Sequence, residues 1–311
     1  MKRLIMAVPL ILLFVFCQAG AADKKISVIT TNFSAFDFVR EIAKDKVELV
    51  QLLPLGAETH SFEPTPKDIV KIKKCEIFIY AGGESDVWVD KILSSIDVKN
   101  KQIIPMIKLV DAVEEEIVEG MQEEEEEKEE SGEEEVEYDE HVWTSPKNAK
   151  IIAKALSQAL IKADPKNAEF YRQNTDAYIE KLDVLDKQFE EIVKNSKRKT
   201  IVFADRFPFR YFADAYGLKY FAAFPGCSTE TEASAGTVKF LIDKVKAEKI
   251  PVVFHIEMSN EKMADVISEA TGAKKRLFHA CHNVSKKDFK DGLGYIDFMT
   301  RNAEVLKEAL N

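Results

Sequence analysis

The chain has 311 residues and a formal net charge of −10. That length fits two domains or one large one, and the sequence lacks the arginine-rich stripe and the interleaved aromatic and basic residues typical of nucleic-acid binding. The negative charge is concentrated between Glu114 and Glu140, where 17 residues are acidic and one is lysine. The rest of the chain is therefore mildly basic.

The N-terminus has the pattern of a secretory signal. Lys2 and Arg3 precede an apolar stretch from Leu4 to Phe16, which is too short to be a good membrane span. Ala19-Gly20-Ala21 then provides the small residues that signal peptidase requires, so we expect cleavage after residue 21 and an exported, periplasmic product. Lipid anchoring through Cys17 is the alternative, but the bulky Phe16 before it favours simple cleavage.

Strand-like runs alternate with helical patterns, which predicts an α/β fold with mainly parallel sheets. In the first half, the predicted strands are Ile26–Thr31, Val47–Leu53, Glu76–Tyr80 and Gln102–Ile107, and the predicted helices are Phe36–Ala43, Pro66–Lys73 and Asp86–Ser95. In the second half, the predicted strands are Thr200–Phe203, Tyr220–Phe224, Val252–Glu257 and Arg276–His279, and the predicted helices are Pro208–Tyr216, Ala235–Glu248, Glu261–Thr271 and Tyr295–Leu310.

Two helices in the middle of the chain connect these halves. Ser145-Pro146 opens a helix towards Ala163, and Asp164-Pro165 opens another that apolar residues at helical spacing extend to about Asn195. A helix of about 30 residues is about 45 Å long, which suggests a strut between two lobes. We therefore divide the chain into a signal peptide (1–21), an N-terminal lobe with an acidic loop (22–163, loop 114–140), a linking helix (164–196) and a C-terminal lobe (197–311).

Three cysteines remain after cleavage. Cys75 lies in a buried strand pattern, so Cys227 with Cys281 is the only plausible disulfide. Three free buried thiols are the alternative that the sequence leaves open.

The candidate ligands follow predicted strands or the acidic loop. Ligands of open α/β sheets bind beyond the carboxyl ends of the strands, and imidazole is the commonest ligand of late divalent metals. The candidates at such positions are His60, His141, Asp205, Glu257, His279 and His282. Histidines from both halves suggest one metal between two lobes, with Glu257 either a ligand or an orienting group. His255, inside an apolar strand, is interpreted as structural, and Glu230 and Glu232 as helix-capping carboxylates.

At these residues the sequence resembles the periplasmic metal-binding proteins of ABC transporters, the zinc and manganese cluster typified by ZnuA and TroA. The resemblance covers nearly the whole mature chain. The matching segments are His60–Pro66, Glu140–Pro146, Asp164-Pro165, Tyr211-Phe212 with Tyr216–Leu218, and the pattern through Tyr295 and Asn302. It implies two α/β lobes joined by a long rigid helix, metal in the cleft, and delivery of that metal to a membrane permease.

The resemblance carries His60 and His141 over as ligands, but the C-terminal lobe departs from the family pattern. Arg206 stands where relatives place a histidine or glutamate, and the usual aspartate after the last strand is missing. We therefore expect His282 as the next ligand, then His279 and Asp205, and only then Cys281. The charged loop is present, yet it lacks the histidines common in zinc members, so weak cation capture is its remaining role.

These observations predict a monomeric zinc receptor without enzymatic activity. Histidine-dominated ligands favour zinc over manganese. A manganese or iron receptor of the same fold, using Asp205 and Glu257, is the first alternative. An exported metallohydrolase built on His60 and Glu63 is the second, although Pro64 makes Glu63 resemble a residue that leads into a helix.

Overall fold

The computed structural model describes residues 24–59, 61–121, 137–228 and 233–311. Within these ranges the strands are β1 (Ile26–Thr30), β2 (Val47–Gln51), β3 (Ile77–Tyr80), β4 (Gln102–Pro105), β5 (Thr200–Phe207), β6 (Lys219–Pro225), β7 (Val252–His255) and β8 (Lys274–Leu277). The helices are α1 (Phe33–Ala43), α2 (Pro66–Lys74), α3 (Trp88–Leu93), α4 (Pro146–Ala163), α5 (Ala168–Lys194), α6 (Arg210–Tyr216), α7 (Ala235–Glu248), α8 (Lys262–Thr271), α9 (Lys286–Lys290) and α10 (Tyr295–Ala309). The signal peptide with Cys17, His60, residues 122–136, and Glu230 with Glu232 lie outside the described residues.

The strands form two parallel sheets with the same topology. The first sheet has the order β2-β1-β3-β4 and the second the order β6-β5-β7-β8. All four residues of β3 are buried, as are all four of β7, because a parallel sheet is covered by helices on both faces and its central strands need apolar side chains on each side. The predicted α/β fold of two lobes with parallel sheets is confirmed.

The long helix α5 packs against both lobes. It contacts α1 and α4 of the first half and α6 and α10 of the second. Asp186 of α5 accepts from Lys150 of α4 at 2.9 Å and from Tyr216 of α6 at 2.8 Å, so one carboxylate ties the strut to both lobes. The helix has 27 residues, about 40 Å at 1.5 Å per residue, and the predicted strut is confirmed. A 3₁₀ turn, Pro165–Asn167, precedes it.

Strand β5 is longer than predicted. We expected it to end at Phe203, but it continues to Phe207, with a register shift against β6 between Phe203 and Arg206. Asp205 and Arg206 are therefore part of the strand rather than of the loop after it. The irregularity is a β-bulge, a feature that re-aims side chains next to functional sites.

The two ends of the acidic segment pair with each other. Glu114 and Tyr138 form an antiparallel bridge, and the Glu115 N–H donates to Glu137 O at 2.9 Å. Glu116 binds the second lobe, since it accepts from the Tyr220 hydroxyl at 2.9 Å and pairs with Arg210 at 2.8 Å. The residues flanking the segment 122–136 are thus ordered parts of the protein surface.

Of the two alternatives for the cysteines, a Cys227–Cys281 disulfide or three free thiols, the structure has the second. Cys75, Cys227 and Cys281 are all free and buried. Burial raises the pKa of the Cys75 thiol to about 11, and it raises those of Cys227 and Cys281 well above the usual value. Within the described ranges, no helix is both long and apolar enough to cross a membrane.

Candidate metal centre

His141 is held in one orientation by the aspartate two residues before it. The ring is fully buried, its Nδ1 lies 2.8 Å from Asp139 Oδ1, and its backbone N–H donates to the same oxygen at 2.7 Å. We assign the Nδ1 proton to this contact, which leaves the lone pair on Nε2. Burial alone would lower the pKa of His141, but Asp139 and the neighbouring glutamates reverse that effect and raise it.

Glu140 is fully buried and fixed by the turn that follows β3. The Ser85 hydroxyl donates to Glu140 Oε1 at 2.5 Å, and the Ser85 N–H donates to Oε2 at 3.0 Å. Gly83 makes room for this carboxylate, because a Cβ atom there would lie 2.4 Å from Glu140 Cβ. Burial raises the pKa of Glu140, with His141 and Ser85 acting in the opposite direction.

His282 belongs to the loop between β8 and α9. Its ring lies against Trp143 and His141, with centroid distances of 4.8 and 4.5 Å. Trp143 also donates from Nε1 to Ala280 O at 2.8 Å. The helix-initiating motif after His141 therefore also fixes the loop that carries His282.

Glu257, just after β7, sets the backbone of the same loop. Its carboxylate accepts from the Ala280 N–H at 2.7 Å and from the His282 N–H at 2.9 Å. Between them Cys281 adopts a left-handed φ of 59°, which turns both N–H groups towards one anion, as in a backbone nest. Both carboxylate oxygens of Glu257 thus orient the loop that carries His282. This is the orienting role that we predicted as the alternative to metal ligation.

Glu140, His141 and His282 form the one candidate metal-binding group found among the described residues. One donor atom from each lies within 4.8 Å of the others, and Glu140 Oε1 is 3.8 Å from His282 Nε2. Tetrahedral zinc, with bonds of about 2.0–2.1 Å to nitrogen, spaces its donors about 3.3–3.4 Å apart. The group therefore fits a zinc ion after its donors move together by up to about 1.4 Å, and two imidazoles with one carboxylate are donors that zinc accepts.

Two of the other predicted ligands, His279 and Asp205, do not join this group. His279 accepts the Cys281 N–H at Nδ1 and stacks on Phe298 at 4.0 Å. Asp205 uses one oxygen for the Arg206 N–H and the other for the Ile256 N–H. His60 lies outside the described residues, so its place in the site stays a prediction.

Sequence reasoning did not single out Glu140. It was one of 17 acidic residues and carried no separate signal. Its adjacency to His141 could have identified it, although neighbouring residues of an extended chain point in opposite directions. The chain here is not extended: His141 leads into a 3₁₀ turn, Val142–Thr144, and both side chains reach the same centre.

More carboxylates surround the group. Burial, and then repulsion from Glu137, raises the pKa of Glu84 to about 7. Burial, and then repulsion from Glu140, raises the pKa of Asp86 to about 7. Burial and Asp139 likewise raise the pKa of Glu115. Crowded buried carboxylates disfavour their own ionisation, and a bound cation would relieve that repulsion.

Comparison with known proteins identifies the family of this chain. A family model described as "ZnuA: Zinc-uptake complex component A periplasmic" matches residues 28–309. The high-affinity zinc uptake system protein ZnuA of Bacillus subtilis is 34% identical over 295 residues, which cover 94% of this chain and 90% of that protein. The zinc-binding lipoprotein AdcA of Streptococcus pneumoniae is 31% identical over 92% of this chain, which spans only 56% of AdcA. The manganese ABC transporter substrate-binding lipoprotein PsaA of Streptococcus pneumoniae is 30% identical over 95% of this chain and 93% of PsaA.

Solved structures show the same similarity in three dimensions. The metal-dependent lipoprotein YcdH of Bacillus subtilis superposes with a TM-score of 0.77 at 31% identity, covering 92% of this chain and all of YcdH. The Zn(II)-bound ZnuA-like domain of Streptococcus pneumoniae AdcA gives a TM-score of 0.74 at 29% identity, over 92% of this chain and 99% of that domain. This chain therefore belongs to the ZnuA family, the periplasmic component A of zinc-uptake complexes.

Proposed function

We propose that this protein is an extracytoplasmic zinc receptor that delivers the ion to the membrane permease of an ABC transporter. The observation that carries the proposal is the buried group of Glu140, His141 and His282, whose donor atoms converge within 4.8 Å. Its donors come from both halves of the chain, as a site in a cleft between two lobes requires. His60, which the family resemblance identifies as a ligand, is proposed to complete the coordination.

Zinc is favoured over manganese by the proposed donor set. With His60 included, the site has three imidazoles and one carboxylate, and nitrogen-rich tetrahedral sites select zinc. A manganese or iron receptor is the second candidate, because Glu140 supplies a carboxylate and a relative of similar identity is named a manganese receptor. His279 and Asp205 are not needed in this ligand set.

The remaining parts of the proposal follow from the family. Its members are solute-binding receptors rather than enzymes, and we propose that this chain likewise catalyses no reaction. We further propose that it acts as a monomer and binds no nucleic acid. Two relatives are named lipoproteins, so attachment through Cys17 remains the alternative to release by cleavage.

The test is a zinc titration of the metal-free protein, with manganese as competitor. We expect one tight zinc equivalent that excess manganese does not displace. His141→Ala and His282→Ala should each weaken zinc binding by more than about 100-fold, since loss of an outer-shell partner alone costs about 10–100-fold.

His255→Ala is the matched control, because His255 ends β7 and contacts the backbone at Ile256 O, 3.2 Å away. That variant should bind zinc as the parent protein does. A clear preference for manganese would show that manganese, and not zinc, is the transported ion. Unchanged zinc affinity in both test variants would show that His141 and His282 are not part of the metal site.

A further inference from the structure

Asn283 of the second lobe holds the loop that follows β2 in the first lobe. Its Nδ2 donates to Pro54 O and to Ala57 O, both at 2.8 Å, and Asn283 is only 1% exposed. Asn283 follows His282 directly in the chain. This contact between the two lobes therefore lies one residue along the chain from His282, a member of the candidate metal centre.

Arg206 makes a second connection to the same loop. Its Nη1 lies 2.9 Å from Glu58 Oε1 and 3.1 Å from Ser228 O, and its side chain is 8% exposed. A charge at that depth requires a partner, because an isolated buried charge is strongly destabilising. Glu58, which reaches across from the first lobe, provides that partner.

Glu58 extends this connection to Ser61 and Phe62. Its second oxygen, Oε2, accepts the Ser61 N–H at 2.9 Å, and the Phe62 N–H donates to Thr59 O at 3.1 Å. The chain on both sides of residue 60 is thus tied through one carboxylate to Arg206. Removal of either member of the ion pair would release that tie.

Arg206 also lines the same cavity as His282, one of the three members of the candidate metal group. It lines, together with Glu58, Asn283 and His282, a cavity of about 20 Å³, which is room for about one water molecule. A zinc ion held by His282 and the guanidinium of Arg206 would repel each other across this cavity, since both are positively charged. The carboxylate of Glu58 offsets this repulsion while the ion pair is intact.

We propose that the Glu58–Arg206 ion pair is a positioning device for metal binding. It anchors the Ser61–Phe62 segment of the first lobe to Arg206 of the second, and it neutralises the fixed positive charge of Arg206 next to His282. Arg206 and Glu58 do not contact the metal in this arrangement. The proposal rests on the proposed zinc-binding function of the same centre.

The two roles predict different results for two variants. Arg206→Met releases the Ser61–Phe62 segment but also removes the positive charge, so we expect zinc affinity to fall by about 10-fold. Glu58→Gln releases the same segment and leaves the guanidinium without its carboxylate, so the loss should approach about 100-fold. The double variant should bind zinc more tightly than Glu58→Gln alone, since the second change removes the repelling charge.

Zinc affinity would be measured by competition with a chelator, and the dissociation rate by zinc transfer to excess chelator. Arg276→Met is the matched control. Arg276 forms an ion pair with Glu308 of α10 at 2.9 Å, and neither residue belongs to the group of Glu140, His141 and His282. It should leave both quantities unchanged. Glu58 is partly exposed, so Glu58→Gln tests the pair even if Arg206→Met fails to fold.

Hydrogen exchange of the Ser61 and Phe62 amides in the metal-free protein gives a readout that does not depend on zinc. We expect faster exchange in Arg206→Met and Glu58→Gln, and no change in Arg276→Met. If the parent protein binds no zinc, the proposed function is wrong whatever the exchange rates. If the parent binds zinc and the variants match it in affinity and exchange, or if the double variant is weaker than Glu58→Gln, the positioning role is overturned.

Discussion

Asp139 contacts His141 twice at the candidate metal centre. One carboxylate oxygen receives both the ring Nδ1 proton and the backbone N–H of the same histidine. The Tyr211 hydroxyl in turn donates to Asp139 O at 2.7 Å, so the aspartate is itself held from the second lobe. This arrangement orients the imidazole before any metal arrives, which reduces the ordering cost of binding.

Asp139→Asn tests this contact. The amide can keep one hydrogen bond but loses the charge, so zinc affinity at neutral pH should fall by about 10–100-fold. The pKa of His141, which Asp139 raises, should fall as well, so protons should compete with zinc only at a lower pH than in the parent protein. Zinc titrations between pH 5 and pH 8 measure both effects.

Asp176→Asn provides the control, because Asp176 is exposed on α5. It should change neither the affinity nor the pH profile. An Asp139→Asn profile that keeps the parental acid midpoint would show that Asp139 does not act on His141.

At this scale the sequence identified His141 and His282, and the structure brings them together. The sequence ranked His282 ahead of His279, and among the described residues only His282 lies in the group with Glu140 and His141. The different positions of the two histidines depend on contacts that a local pattern does not show. Glu257 accepts the His282 N–H, whereas His279 accepts the Cys281 N–H and stacks on Phe298.

Among the elements, the link between β3 and the following 3₁₀ turn, Glu84–Asp86, controls Glu140. Ser85 supplies both donors to the carboxylate, and Gly83 leaves the space that it fills. Gly83 has an ordinary extended backbone, with φ of −110°. Glycine is therefore needed at this position because it has no side chain, and not because the backbone adopts an unusual conformation.

Gly83→Ala should displace Glu140, because the new Cβ would lie 2.4 Å from Glu140 Cβ. We expect a stability loss of about 1–3 kcal/mol, typical of overpacking, together with weaker zinc binding. Thermal unfolding and chelator competition measure the two effects.

Gly236→Ala is the corresponding control, since a Cβ there meets only Ser234 Oγ at 3.5 Å. Its zinc affinity should match that of the parent protein. If Gly83→Ala binds zinc normally, Glu140 is not a ligand.

The boundaries of β5 show where prediction from local pattern failed. Ile201 to Ala204 is an apolar run, and the following Asp205-Arg206 has the composition of a loop. Pairing with β6 beyond the bulge keeps these two polar residues in the strand. Such pairing depends on a neighbouring strand, so propensity alone does not predict it.

For the whole molecule, the two parallel sheets and the strut α5 were predicted from the sequence, because alternating strands and helices favour parallel sheets, whereas the strand order within each sheet was not predicted. The contacts between the two lobes were not predicted either. An example is the Phe33 N–H donating to His282 O at 2.9 Å. With α5 bound to both lobes, we expect metal exchange to proceed by small local movements rather than by wide opening.

Replacing residues 122–136 with a short glycine-serine linker should leave tight zinc binding unchanged. Glu114 and Tyr138 already bring the flanking chains together, and the candidate donors Glu140, His141 and His282 lie outside the deleted segment. The rate of zinc capture at low ionic strength should fall, because the segment contributes a concentrated negative charge. Stopped-flow mixing with zinc at two salt concentrations measures this rate, and loss of tight binding would show that the segment supplies ligands.

The three buried cysteines have a consequence for the chemical environments in which this protein can work. Their thiols are inaccessible and stay protonated at neutral pH, and only the thiolate is an effective metal ligand or nucleophile. Neither oxidants nor reductants in the surrounding medium should therefore alter the fold or the number of zinc ions bound. Because these three thiols form no disulfide, the described part of the chain should fold without a disulfide catalyst, and a recombinant form made in a reducing cytosol should bind its ion.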